Sequence, residues 1–438
     1  MNLDATHESG LRSWVKSANE PGTDFPIQNL PFGVFERNGA GRIGIAIGDA
    51  ILDLTACHQR GLLNELEAEE GNACLAPTLN WLMALGRPTA TAVRRVASRM
   101  LAAGNDATEA LADTILVDRA SARMRLPASI GDYTDFYASI HHATNVGKML
   151  RPDNPLMPNY KWIPVGYHGR SSSVVASPAP VRRPWGQVWA DGDEAPVMTA
   201  SRTLDYELEV GIFVGQGNAL GEPFSLEEAE EHVFGLCLLN DWSARDIQKW
   251  EYQPLGPFLS KSFATSISPW IVTLDALAPF RAPRFARAEG DPAPLPHLDG
   301  ERDQREGAVD VQLEVRLSTR AMRDGGIEPA PISSSNFKNL YWTLGQMLTH
   351  HASNGCNLRP GDLLGSGTVS GPEKSERGCL LELTWRGAEP ITLPNGEARR
   401  FLTDGDEVII RGRCARDGFV SIGFGECRGE VLEAHPAG

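Results

Sequence analysis

Thr203-Leu-Asp-Tyr-Glu-Leu-Glu-Val-Gly-Ile-Phe-Val214 is the stretch on which the reading of this chain turns. Leu204, Tyr206, Leu208, Val210, Ile212 and Val214 alternate with Asp205, Glu207 and Glu209, a period of two that marks a strand. Glu207 and Glu209 then share one face, near enough for both carboxylates to meet a single hard cation. The commoner occurrence of such a pattern is a half-buried strand with a wet acidic face, and this segment alone does not separate the two.

Its neighbours add weight. Ser225-Leu-Glu-Glu228 has the spacing of a capping box that opens a short helix. Residues 233–239 are an almost pure apolar run, a buried strand, ending in Asn240-Asp241, where an acid serves as a ligand, a helix cap or both. In Asp241-Trp-Ser-Ala-Arg-Asp-Ile-Gln-Lys-Trp-Glu-Tyr252 a helix would align Arg245, Gln248 and Tyr252 at i, i+3 and i+7. That face is either solvated or arranged to meet a developing oxyanion. Pro254-Leu-Gly-Pro257 reads as a loop folding back toward Lys261 and Thr265.

Upstream, residues 132–147 (Asp-Tyr-Thr-Asp-Phe-Tyr-Ala-Ser-Ile-His-His-Ala-Thr-Asn-Val-Gly) concentrate acids, tyrosines and the His141-His142 pair. A histidine oriented by a carboxylate is the material of a general base; a structural or surface pair is the alternative. Gly365-Ser-Gly-Thr-Val-Ser-Gly371 lacks the strand-to-helix context of a dinucleotide fingerprint and reads as a β-turn region lining a cleft. The sequence contains no Gly-x-Ser-x-Gly, His-Glu-x-x-His or Walker loop.

The chain has 438 residues, 42% hydrophobic and 22% charged, with a formal charge of −15. It is expected to be globular, and its acidity argues against nucleic acid or an anionic membrane as its main partner. No apolar run approaches the roughly 18 residues of a spanning helix, and residues 1–10 are polar, so a cytoplasmic protein is expected. Its seven cysteines include no Cys-x-x-Cys pair and read as reduced packing thiols.

Two domains are expected, in a fold that is mainly β with some α. Residues 32–35, 42–47 and 50–54, separated by Asn38-Gly39 and Gly48-Asp49, read as hairpins of a small β-domain. Val93, Val96, Ala97, Met100 and Leu101 form a helical stripe after Pro88, with Gly104 ending it. Residues 106–124 form the boundary zone, and nothing in residues 1–120 offers a catalytic constellation. Beyond it, residues 174–175, 203–214, 233–239, 270–274, 309–317, 380–385 and 407–412 read as short strands, and 279–307 as a surface excursion. No internal repeat of fixed period is present.

Taken together, residues 132–147, Pro164-Val-Gly-Tyr-His-Gly-Arg-Ser-Ser172, 204–209, 240–270 and 361–382 resemble one family, the fumarylacetoacetate hydrolases, and the resemblance spans nearly the whole chain. It implies a small N-terminal SH3-like β-barrel domain over 1–124, a larger C-terminal mixed β-roll catalytic domain over 125–438, and a homodimer. It implies Asp135, Glu207, Glu209 and Asp241 as ligands of Mg²⁺ or Ca²⁺, hard cations that select oxygen donors. Lys261 and Thr265 match positions also linked to that metal site.

His142 matches the general base and Glu382, placed on a 380–384 strand, its carboxylate partner. Arg245, Gln248 and Lys261 match the oxyanion-stabilising group. Tyr137, Arg151, Tyr167, Tyr252 and Thr368, with Arg245 and Gln248, match substrate contacts. The implied reaction is metal-dependent hydrolysis of the carbon-carbon bond of 4-fumarylacetoacetate to fumarate and acetoacetate, the last step of tyrosine and phenylalanine breakdown. Ala264 departs from the family pattern, which has glycine beside the Thr265 position, and residues 279–307 lack a clear family pattern. Other superfamily members share the metal carboxylates but act on related oxo acids as acylpyruvate hydrolases, isomerases or decarboxylases. The full-length N-terminal domain with both His142 and Glu382 favours the hydrolase. A mere cation-binding scaffold would leave Arg245, Gln248, Lys261 and His142 without a reason to cluster.

Overall fold

Asn38 and Gly39, with φ of 54° and 79°, close the first hairpin, since positive φ at both central residues matches the twist of the strands they join. The computed structural model describes residues 3–189, 192 and 194–436. Phe32–Arg37 pairs with Ala40–Ile47, which pairs with Ala50–Asp53, as the alternating pattern predicts. Leu116–Asp118 joins the outer side of Ala50–Asp53, and Met124–Arg125 joins Phe32–Arg37, completing five antiparallel strands. The 106–124 stretch thus carries strand residues of the first sheet, in pieces too short to show a period. Helix Arg87–Leu101 buries Val93, Val96, Ala97, Met100 and Leu101 in an apolar core that also holds Phe32, Val34, Ile43 and Ile45 of this sheet.

Val233–Asp241, buried throughout, is the spine of a larger mixed sheet. Leu208–Val214 and Thr265–Ile267 flank it, and Val272–Thr273 pairs with its first half. Leu363–Gly365 lies between Leu208–Val214 and Tyr133–Phe136, antiparallel to the first and parallel to the second. Gly166–His168 and Val174–Ala176 close the two edges. A second sheet, Ala330–Asn336, Gln312–Ser318, Glu407–Cys414, Ile422–Leu432 and Val181–Arg182, shares a core with it in which Leu236, Leu238, Leu313, Val315, Ile410 and Phe424 meet. The chain is therefore a mixed α/β protein dominated by sheet. No helix among the described residues is long and apolar enough to cross a membrane. All seven cysteines are free thiols, six of them buried.

Three expectations need correction. Residues 203–214 are not one strand: Leu204–Asp205 pairs with Ser243–Ala244, and a new strand starts at Leu208. At the break the Asp205 carboxylate accepts the Tyr206 N–H (2.9 Å) and the Asn240 side-chain carbonyl accepts the Glu207 N–H (3.1 Å), replacing ladder bonds with side-chain ones. Residues 380–385 form no strand; Leu380–Leu383 is a short helix. Residues 279–307 are more than a surface excursion. They carry a strand paired with Ala308–Val309 and the helix Glu301–Glu306, and Arg287 stacks on the rings of Tyr341 and Trp342 at 4.4 and 4.7 Å.

Candidate active site

Strand register converges four acids. Asp135 and Gly211 both lie opposite Gly365, Glu209 is two residues from Gly211 on the same face, and Asp241 lies opposite Thr265. Glu207 sits at the strand break. One carboxylate oxygen from each of Asp135, Glu207, Glu209 and Asp241 lies within 4.8 Å of the others. None of the four is more than 5% exposed, which removes the wet-face reading of Glu207 and Glu209.

Compensation among the four is uneven. Lys261 donates to Glu207 and to Asp241 (2.6 Å), and Arg245 donates to Glu207 (2.7 Å). Although burial opposes it, these two cations hold Glu207 well below the usual carboxylate range. Asp135 Oδ1 and Glu209 Oε1 are buried without a donor. Burial, reinforced by the Asp241 charge, pushes Asp135 up to about 8; burial and the Asp135 charge raise Glu209 as well. Unpartnered buried carboxylate oxygens in an all-oxygen set fit a hard divalent cation and disfavour zinc.

Gly365 opens the space beside them. A Cβ there would lie 2.5 Å from Asp135 Oδ1 and 2.9 Å from Glu209 Oε2. Gly365→Ala is expected to destabilise the fold by about 1–3 kcal/mol and to weaken cation binding, because the methyl displaces two carboxylates. Thermal melts with and without Mg²⁺ check this; an unchanged Mg²⁺-induced shift would contradict it.

The cationic group lies alongside. Helix Arg245–Glu251 aligns Arg245 with Gln248, whose Oε1 accepts from Arg245 Nη1 at 3.1 Å, as the i, i+3 spacing predicts. Thr265 and Tyr167 donate to the two oxygens of Asp241, each at 3.0 Å, so both meet the carboxylate cluster. The loop before Lys261 is clasped by Glu251, whose carboxylate accepts the N–H groups of Phe258, Leu259 and Ser260 at 2.8, 3.1 and 2.8 Å. Ala264 is buried in the main apolar core.

On helix Ile140–Leu150, capped by Ser139, His142 Nδ1 lies 2.5 Å from Glu382 Oε2. Glu382 accepts from three neutral donors; burial alone would raise it, and His142 with two of those donors, Asn145 and Ser370, brings it down to about 2 instead. Those donors, Asn145 and Ser370 at 2.8 Å and the Cys379 thiol at 3.2 Å, were not anticipated as parts of the site. Asn145 was readable, being three residues from His142 on one helix face. Ser370 lies in the glycine-rich turn, whose Gly367 N–H also donates to Glu209 Oε2 at 3.2 Å, so this turn touches both halves of the site.

Tyr137 meets the His142 ring edge-on at 5.2 Å, and the hydroxyl of Thr368 is buried without a partner in the same turn. Arg151 ends the His142 helix and donates to the Pro155 carbonyl. Tyr252 ends the Arg245 helix. Among the described residues, no hydrogen bond or ion pair joins Arg151 or Tyr252 to the carboxylate cluster.

Comparisons with known proteins bear on the chain as a whole. Residues 132–432 match the family model described as fumarylacetoacetate hydrolase, C-terminal, and residues 28–127 the model described as fumarylacetoacetase, N-terminal. The fumarylacetoacetase of Homo sapiens is 52% identical over 419 residues, covering 94% of this chain and 97% of that protein. That of Bos taurus is 51% identical with the same coverage. A solved fumarylacetoacetate hydrolase from Exiguobacterium antarcticum aligns with a TM-score of 0.50 at 19% identity, covering 92% of this chain and 99% of that one, a likeness of fold alone.

Proposed function

The chain belongs to the fumarylacetoacetate hydrolase family, and from that premise we propose that it hydrolyses 4-fumarylacetoacetate to fumarate and acetoacetate, in the breakdown of tyrosine and phenylalanine. The observation that carries this reading is the His142–Glu382 pair set beside a buried four-carboxylate cluster with its own cationic group. Asp135, Glu207, Glu209 and Asp241 would hold one Mg²⁺ or Ca²⁺, which when bound supplies positive charge for the diketone oxygens and the enolate charge of the leaving group.

Glu382 occupies His142 Nδ1 and leaves Nε2 to take the proton from water. Attack of the resulting hydroxide on the carbonyl next to the fumaryl unit puts negative charge on its oxygen, and Arg245, Gln248 and Lys261 offset that charge. Collapse breaks the carbon-carbon bond. The hydroxyl of the water leaves in fumarate, and the proton held by His142 is returned to acetoacetate. Tyr137, Arg151, Tyr167, Tyr252 and Thr368 complete the reading as substrate contacts.

The same reading takes residues 1–124 as an SH3-like β-barrel and 125–438 as a mixed β-roll, acting as a cytoplasmic homodimer. The test is incubation with 4-fumarylacetoacetate, with and without chelator followed by Mg²⁺ or Ca²⁺. Equal amounts of fumarate and acetoacetate, lost on chelation and restored by the cation, are expected. Neither product from a protein that binds the cation would move the substrate to another oxo acid such as an acylpyruvate.

A further inference from the structure

Asp205 does none of the chemistry above, yet it touches both halves of the site. It is fully buried, at the end of Leu204–Asp205, a strand paired with the segment that leads into Arg245. Its Oδ2 accepts from Arg245 Nε at 2.9 Å, with Nη2 also 2.9 Å from the same oxygen. The two oxygens also accept the N–H groups of Leu380 (2.8 Å) and Leu381 (2.9 Å), the opening amides of the helix that carries Glu382. A carboxylate at unsatisfied N-terminal amides favours the helix there. Occupying the Nε edge of the guanidinium also leaves Nη1 directed at Glu207 and Gln248.

We propose that Asp205 is a positioning residue that holds the Arg245 guanidinium and the Glu382 helix in one frame, so that the oxyanion group and the base pair keep their relative placement. Charge and geometry both matter to this task. A neutral amide offers one acceptor where the carboxylate offers two, and its NH₂ would face either the guanidinium or two backbone donors. The proposal rests on the reading of the site given above.

Asp205→Asn is expected to lower kcat by about a hundredfold with KM changed less than threefold, since the groups displaced act on charge that develops during reaction. Combining it with Arg245→Gln or Glu382→Gln is expected to cost less than threefold beyond those single variants, because each already removes one end of the joint. Multiplying effects in both pairs, or a folded D205N with kcat within threefold of the parent, would overturn the proposal.

Hydrogen exchange at the Leu380 and Leu381 amides gives a reading independent of turnover and of D205N folding. In Arg245→Gln, which leaves Asp205 in place, these amides are expected to exchange at least tenfold faster, with the Leu239 amide of the central strand unchanged. Unaltered exchange at 380–381 would mean that Arg245 and the Glu382 helix are not joined through Asp205. If the parent protein fails to cleave 4-fumarylacetoacetate, the functional reading falls, while the exchange result still decides the joint.

Discussion

His142→Ala is expected to lower kcat by about three orders of magnitude while Mg²⁺ still binds, because general-base catalysis contributes roughly 10²- to 10⁴-fold and the carboxylate cluster does not include this side chain. The variant also strands Glu382. That carboxylate is fully buried, and burial would raise it were His142, Asn145 and Ser370 not holding it at about 2 against an ordinary value of 4.5. A depressed carboxylate contributes stability that is complete above pH 4.5 and lost as pH falls through about 2.

His142→Ala is therefore expected to destabilise the fold by about 1–3 kcal/mol at neutral pH, and progressively less toward pH 2. Glu382→Gln should lower kcat comparably, since an amide NH₂ directed at Nδ1 favours the wrong tautomer. Fumarate release gives kcat, and titration calorimetry gives Mg²⁺ affinity. An H142A protein that keeps more than a tenth of the parent turnover would end the base assignment.

Chelation is expected to abolish turnover and to give folding stability a slope with pH that the cation-loaded protein lacks. In the cation-free fold Asp135 titrates at about 8, pushed up by burial and by Asp241, against 3.8 when unfolded. Between those values the folded state retains a proton that the unfolded chain has released. This contribution is complete below pH 3.8 and lost as pH rises through about 8, so chelated protein should lose stability across that window. With the cation saturating, the carboxylates are ionised in the folded state and the proton-linked loss disappears. Mg²⁺ at a hundredfold its Kd adds about 2.7 kcal/mol.

Glu209→Gln separates the two effects. It should weaken cation binding severely, yet raise the stability of the chelated protein by removing a buried carboxylate whose Oε1 has no donor. Melting curves from pH 5 to 9 with EDTA and with Mg²⁺ check both. Identical pH slopes in the two series would show that the cluster is not where the cation acts.

Local side-chain direction was open to reading in the sequence, because strand and helix periods are set by covalent geometry. The strand that carries Glu209, the apolar run ending at Asp241, and the i, i+3 placing of Arg245 and Gln248 each appear in the structure, whereas Glu207 lies at a break in the expected strand. The resemblance to a family added His142 and Glu382, which lie 240 residues apart and whose pairing no local pattern encodes.

Burial and charge compensation depended on which distant segments became neighbours. Leu380-Leu-Glu-Leu is apolar enough to read as a strand, yet the Asp205 carboxylate, 175 residues away, caps it as a helix and so places Glu382. The acidic face of the 203–214 segment looked wet because sequence shows like charges and not the Lys261 and Arg245 that compensate Glu207, nor the strands that exclude water from it. By itself the sequence determined which faces the acids and donors occupy. The tertiary structure decided whether those faces meet water, a counter-charge or each other, because desolvation and Coulomb energy depend on distances through space that a period along the chain does not contain.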